Sequence, residues 1–304
     1  MMGKLGPIIL IAISAIMWGT IAIFVRKLAS LGFTPMEIVT IRVVTAVFLL
    51  GIIGLLKYPG QMRIRLRDSK YFIGTGIFSI VLFNWCYFSS INQLSLSFAV
   101  ILLYTAPAFV VILSYLFLKE SMDAMKIISV MGTLIGCILI AGINIKETPS
   151  MNLIGILTGL GAGFGYALYT IFGKFALAKY RPFTVTFYTF LVASIALLLF
   201  TDLFEKGSML IREEVILYGI GLGLFPTVLA YLFYTKGLEK MDSSKASIIA
   251  TVEPVAATLL SVFLYKEDFG ILEFIGTTII LFSVILINLP KTFFKINNKK
   301  RLQF

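Results

Sequence analysis

The sequence predicts an all-α polytopic membrane protein, with ten transmembrane helices arranged as two inverted five-helix repeats. The first observation behind this is composition. Of 304 residues, 59% are hydrophobic and 13% charged, and the mean hydropathy is +0.99, whereas a soluble domain is about half apolar and about a quarter charged. The second is spacing: the charges cluster between apolar runs of about twenty residues, the length of helix that crosses ~30 Å of hydrocarbon. The third is an internal copy, since sliding the chain on itself by 147 positions aligns residues 87–120 with 234–267 without a gap.

Each span has its own justification. The run at 7–28 is too long for a signal-peptide core and lacks a small-residue cleavage site, so it is expected to persist as a helix. Met2 at the second position excludes N-myristoylation. The second span, 35–56, opens on Thr34-Pro35-Met36-Glu37, a capping box with proline at the first helical position. Spans three and four, 71–91 and 96–118, are parted by Asn92, Gln93 and Ser95; joined, they would form a 48-residue helix that no bilayer accommodates. The remaining spans fall at 125–143, 153–177, 182–201, 215–236, 246–265 and 271–289. Glycines four apart, at 132 and 136, 159 and 163, 161 and 165, and 219 and 223, are expected to let helix backbones approach closely. The Gly219-Ile-Gly221-Leu-Gly223 run is no dinucleotide fingerprint, because no strand precedes it.

In the aligned copies Tyr87 meets Tyr234, Ser97 meets Ser244, Pro107 meets Pro254, Ser114 meets Ser261 and Lys119-Glu120 meets Lys266-Glu267, among 9 identities in 34 positions. Pro35 and Pro182 open spans two and seven at the same offset. The halves are placed at 1–146 and 147–304. Five spans per half is odd, so the second half enters the membrane from the opposite face. Two like halves related by an in-plane pseudo-two-fold can exchange conformations, which converts an inward-open state into an outward-open one around a midplane site.

With a cytoplasmic N-terminus, the inside segments hold 19 Lys and Arg and the outside segments 6, leaving Arg42 inside span two. This bias predicts both termini on the cytoplasmic face. The net charge of +11 lies between and after apolar segments and forms no stripe on a soluble module, so no nucleic-acid partner is expected. The basic tail from Lys291 to Arg301 is expected to anchor on anionic membrane lipid. Cys86 and Cys137 sit in apolar runs and the chain has no histidine, so disulfides, metal ions and cofactors are not expected.

Trp18-Gly19 in helix 1, Arg42 in helix 2, the prolines of helices 4 and 9, and the Lys-Glu that ends both of those helices together resemble the EamA family of the drug/metabolite transporter superfamily. The resemblance covers nearly the whole chain. It implies a carrier in the bacterial inner membrane, commonly exporting amino acids and related metabolites, with helices 1, 3, 4, 6, 8 and 9 lining a central cavity. Helix 7 departs from the symmetry, having no arginine where helix 2 has Arg42.

Glu253, beside Pro254, is the acid of most interest, because an ionised carboxylate near the bilayer centre costs about 2.5–3.5 kcal/mol on insertion scales. It could couple proton movement to a substrate or pair with a substrate ammonium; otherwise it is a protonated structural acid. Arg42 could contribute to coupling by neutralising a substrate carboxylate, or could snorkel or pair with Glu37. Pro107 and Pro254 each remove a backbone hydrogen bond, as hinges or as static kinks. Trp18, Trp85, Tyr87, Tyr104, Tyr166, Tyr169, Tyr231 and Tyr234 fall on the helices expected to face the cavity, where they could stack on a substrate or serve packing. Asn84 and Thr105 add neutral hydrogen-bonding groups. Glu120 and Glu267, just past helix ends, are expected to hold the start of the next helix.

A secondary carrier is the leading functional reading, since no nucleotide-binding loop is present to harness ATP. The rivals are uptake of an organic cation such as a quaternary amine, a channel, and an intramembrane lipid-modifying enzyme, which would need a clustered catalytic set at one membrane face.

Overall fold

The computed structural model describes residues 2–142 and 152–289, so Lys146, one of the six basic residues counted on the outside, and the basic tail lie outside the described residues. Among those described, ten helices are long and apolar enough to cross a membrane. They are span 1, Leu5–Ser30; span 2, Pro35–Lys57; span 3, Leu66–Ile91; span 4, Leu96–Leu118; span 5, Ala124–Ala141; span 6, Leu153–Leu177; span 7, Pro182–Phe200; span 8, Glu213–Glu239; span 9, Ser243–Tyr265; and span 10, Ile271–Asn288. No strand occurs among the described residues.

Local chemistry places the starts. The Thr34 side chain accepts the Glu37 N–H, and Glu37 accepts the Thr34 N–H at 2.7 Å, completing the expected capping box. Ser95, Asp123 and Asn152 cap spans 4, 5 and 6 with their own side chains. Such caps satisfy N–H groups that the first helical turn leaves without partners.

Five spans are not regular helices, span 1 among them, interrupted at Thr20 between Met2–Gly19 and Ile21–Ser30. Span 4 divides into Leu96–Leu103 and Ala106–Leu118, and span 9 into Ser243–Ala250 and Val252–Tyr265. Both breaks lie just ahead of Pro107 and Pro254, whose rings cannot continue the preceding hydrogen-bond ladder. Spans 3 and 8 carry π-helical turns at Gly74–Val81 and Leu224–Leu229, which nearly superpose in the repeat register. In span 8 the cause is visible: Pro226 has no N–H for the Leu222 carbonyl, and the Thr227 hydroxyl donates to it instead at 2.8 Å. Turns of this kind concentrate at functional sites.

Spans 5 and 10 pack along most of their length. A Cβ on Gly136 would lie 2.8 Å from the Gly276 carbonyl oxygen, and one on Gly276 would lie 2.6 Å from that of Gly136. Backbone therefore meets backbone, as the glycine spacing predicts.

The two ends of the bundle differ. At the end that carries Glu120, Ala106–Leu118 packs on Ser243–Ala250, and Ser114 Oγ lies 2.8 Å from Ser244 Oγ. At the opposite end the repeat-equivalent pair, Leu96–Leu103 and Val252–Tyr265, makes no extended contact. Leu96–Leu103 packs on spans 5 and 6, and Val252–Tyr265 on spans 1, 5 and 10.

This difference corrects the expectation for Glu120, because span 5 is capped by Asp123 and not by Glu120. The left-handed Lys119, at φ 57°, turns the chain so that Glu120 reaches the other repeat. There its carboxylate accepts the N–H groups of Ser243 and Ser244 at 2.6 and 3.2 Å and the Ser244 hydroxyl at 2.6 Å, with Lys126 Nζ at 3.4 Å. Burial tends to raise this carboxyl, but the bonds from Ser244 and Ser243 and the Lys126 charge outweigh it and hold it below the usual carboxylate range. A carboxyl held low stabilises the fold at neutral pH, and that contribution fades as the pH falls from the ordinary carboxylate value through its own lower one. Glu120→Gln is therefore expected to destabilise the protein at pH 7 by about 1–2 kcal/mol. Thermal melts in detergent should show the two proteins converging in acid.

Candidate functional site

Two small cavities lie at mid-depth, each with about 10 Å3 of free volume, the room of a single water. One is lined by Trp18 from span 1, Ser79, Ile80 and Phe83 from span 3, Tyr166, Tyr169 and Thr170 from span 6, and Tyr231 and Tyr234 from span 8. The other lies between the broken spans, against Leu103, Tyr104, Ala106, Pro107, Tyr166, Ser247, Ala250 and Thr251. Tyr166 forms a wall of both. Spans 1, 3, 4, 6, 8 and 9 thus surround one central region. A solute larger than water fits only if these walls separate, and the proline breaks and π turns lie in the same walls.

Trp18 is the hub. Its ring centroid lies 5.2 Å from Tyr231 and from Tyr234 and 6.1 Å from Tyr166, within the range of favourable aromatic pairing. It is 5% exposed, and its Nε1–H has no acceptor. Tyr169 and Tyr234 spend their hydroxyls on the wall itself, against Thr235 at 2.8 Å and Thr170 at 2.7 Å. Tyr231 packs edge-on against Tyr169 at 5.0 Å and Phe190 at 4.9 Å.

Glu253 lies in the first turn of Val252–Tyr265, directly after the break at Thr251, where the half-helix dipole favours a negative group. The Tyr166 hydroxyl donates to its carboxylate at 3.5 Å, a long bond that leaves the acid under-satisfied. Arg42 differs from the snorkelling expectation. It is 6% exposed, and Glu37 is paired with Lys206 at 2.7 Å instead. The reason is depth: the capping box holds Glu37 at the helix start, more than a turn from Arg42. The guanidinium lies within electrostatic reach of Tyr231 and Glu253, and its Nε and Nη2 donors have no acceptor. Leaving such donors buried and unmet costs about 1–3 kcal/mol each, more for a charged group.

The other predicted residues are placed as follows. Tyr104 lines the second cavity. Tyr87 is half-buried, stacked on Phe83 at 6.0 Å and within electrostatic reach of Glu253. Asn84 is buried, but its side chain donates to the Ile80 carbonyl of its own helix at 2.7 Å, and Thr105 does likewise to Leu102 at 2.6 Å. Trp85 lies outside the chamber, 54% exposed on the outer surface, because successive helical residues are rotated by about 100° and Asn84 takes the inward position. Ser79, Ile80, Phe83 and Thr170 line the chamber and were not foreseen. Gly74 and Gly76 matching Gly221 and Gly223 in the repeat register would have pointed to this stretch of span 3.

No group of three or more His, Cys, Asp or Glu among the described residues could hold a metal ion. Comparison with known proteins gives a match to the EamA-like transporter family over residues 5–142 and 153–289, one copy per half. An uncharacterized transporter of Archaeoglobus fulgidus is 28% identical over 278 residues, covering 91% of this chain and 94% of the relative. The uncharacterized inner membrane transporter YicL of Salmonella typhimurium is 24% identical and covers 92% of this chain and 94% of its own length. One crystal structure, 20% identical, superposes with a TM-score of 0.75 over 92% of this chain and 96% of that one, a likeness of fold. With both halves matched and ten membrane-spanning helices around a central chamber, the chain belongs to the EamA-like transporter family.

Proposed function

We propose that the protein is a secondary carrier that exports a small zwitterionic metabolite, an amino acid or related compound, across the bacterial inner membrane by alternating access. The observation that carries this reading is a pair of under-satisfied ionisable groups beside the walls of the aromatic chamber: Arg42, within electrostatic reach of Tyr231 with its Nε and Nη2 unpartnered, and Glu253, held by one long bond from Tyr166. A carboxylate on Arg42 and an ammonium on Glu253 would satisfy both, with the solute's apolar part against Trp18 and Tyr231. The direction and the inner-membrane location follow the family resemblance and the charge bias of the loops, which would set the Glu120 end in the cytoplasm.

Uptake of an organic cation is the weaker reading. Trp18 and Tyr231 suit a quaternary ammonium, yet a bare cation would leave Arg42 unanswered and repelled.

The test is counterflow of labelled amino acids and labelled choline in proteoliposomes. Exchange of an amino acid but not of choline is expected; the reverse result overturns the zwitterion reading. In the same assay Glu253→Gln is expected to slow transport at least about 10-fold, equivalent to 1.4 kcal/mol, and to flatten its pH dependence. A wild-type rate with an unchanged pH profile would remove Glu253 from the mechanism.

A further inference from the structure

Lys119 and Lys266 are the non-glycine residues of positive φ among the described residues, at 57° and 54°. They occupy the same register in the two repeats, each ending the outer half of a broken span, and each followed by a glutamate. The backbone agrees beyond φ: the Glu120 N–H donates to Ser114 at 3.1 Å, and the Glu267 N–H to Ser261 at 3.5 Å. The two glutamates are therefore delivered alike.

Their partners are not alike. Glu120 caps the start of span 9 through Ser243 and Ser244, and Ser114 bonds Ser244 at 2.8 Å. Asp242, at the N-cap position there, makes no cap bond of its own. At the other end Glu267 is exposed and pairs with Arg26 at 3.2 Å, whose guanidinium lies 4.3 Å from the Tyr265 ring. The start of span 4, which Glu267 would cap by symmetry, is served by Ser95 with one bond to Phe98 at 3.4 Å. The N–H groups of Leu96 and Ser97, equivalent to those of Ser243 and Ser244, have no protein acceptor among the described residues. One capping site is filled and its repeat-mate stands open.

We propose that Glu120 and Glu267 are alternating gate latches, so that when the Glu120 end opens, Glu267 leaves Arg26 and caps span 4 through the N–H groups of Leu96 and Ser97 and the Ser97 hydroxyl. Ser261 then meets Ser97 as Ser114 now meets Ser244. The two capped states are near mirror images in bonding, so neither end opens without a compensating bond at the other. Asymmetry enters through Lys126, whose repeat equivalent is Glu273: a cation supports the Glu120 latch and an anion adjoins the Glu267 latch. That difference biases the resting carrier toward the state seen here. The inference rests on the carrier reading for its purpose, though not for its test.

In a background with Cys86 and Cys137 replaced by alanine, two cysteine pairs that keep both glutamates are made, Ser114→Cys with Ser244→Cys and Ser97→Cys with Ser261→Cys. Copper-phenanthroline oxidation in proteoliposomes is expected to cross-link both, the first quickly and the second slowly. Adding Glu120→Gln to the second pair is expected to raise its cross-linking rate about fivefold, since removing one latch shifts the population toward the other state. A Ser97–Ser261 pair that never joins overturns the proposal, as does a rate indifferent to Glu120→Gln or a Ser114–Ser244 pair that fails to join. No solute takes part in this readout. A protein that exchanges latches without transporting refutes the carrier reading alone, and one that transports without joining the second pair refutes the latch alone.

Discussion

Arg42→Met is expected to leave the protein at least as stable as wild type while reducing transport by more than about 100-fold, equivalent to 2.7 kcal/mol. The two effects have one cause. A guanidinium that is 6% exposed with Nε and Nη2 unpartnered has lost its water without full repayment, and an apolar side chain of similar volume removes that desolvation cost. On the proposed zwitterion reading, that cost is offset by the anionic group of the substrate. Tm in detergent and counterflow rate, measured on the same preparation, check the prediction. A melting temperature that falls by several degrees alongside the rate would mark Arg42 as a structural residue and leave the zwitterion reading without its anion pole.

The second large effect falls on the fold. Gly276→Leu is expected to prevent recovery of monodisperse protein, because the first carbon of the new side chain would lie 2.6 Å from the Gly136 carbonyl oxygen and 3.0 Å from Leu139 Cβ. Backbone cannot rotate aside as a side chain can, so spans 5 and 10 must separate along their contact. Overpacking in a well-packed interior costs about 1–3 kcal/mol, occasionally more, and here it falls on the pairing of the last helix of each repeat. Gly51→Leu is the control, since nothing lies within 4 Å of a Cβ there. Size-exclusion profiles of the two variants should diverge; similar profiles would mean that the close approach is not needed for assembly.

Much of this molecule is legible from its residues because a bilayer removes most alternatives. Backbone groups in hydrocarbon must be bonded within their own helix, so run length counts the spans, and proline marks where a span breaks. The capping box at Thr34, the turn at Asn92 to Ser95 and the glycine contacts of spans 5 and 10 are all local patterns of this kind. The site was legible in part. Trp18, Tyr166, Tyr231 and Tyr234 announce themselves as polar-tipped aromatics far from the membrane interfaces, whereas Trp85 shares that chemistry and faces outward. Type and spacing cannot tell them apart within one helix that is apolar all round.

By itself, then, the order of amino acids determined the ten spans, their repeat and the family, because hydrophobic length and register are properties of the chain alone. Only the tertiary structure decided which side of each helix turns inward, that Arg42 and Glu253 lie within electrostatic reach of each other, and that Glu120 caps span 9 while Glu267 pairs with Arg26. Those are relations between segments more than a hundred residues apart. Two repeats of like sequence carry both latches equally, and which one closes depends on how the halves are packed.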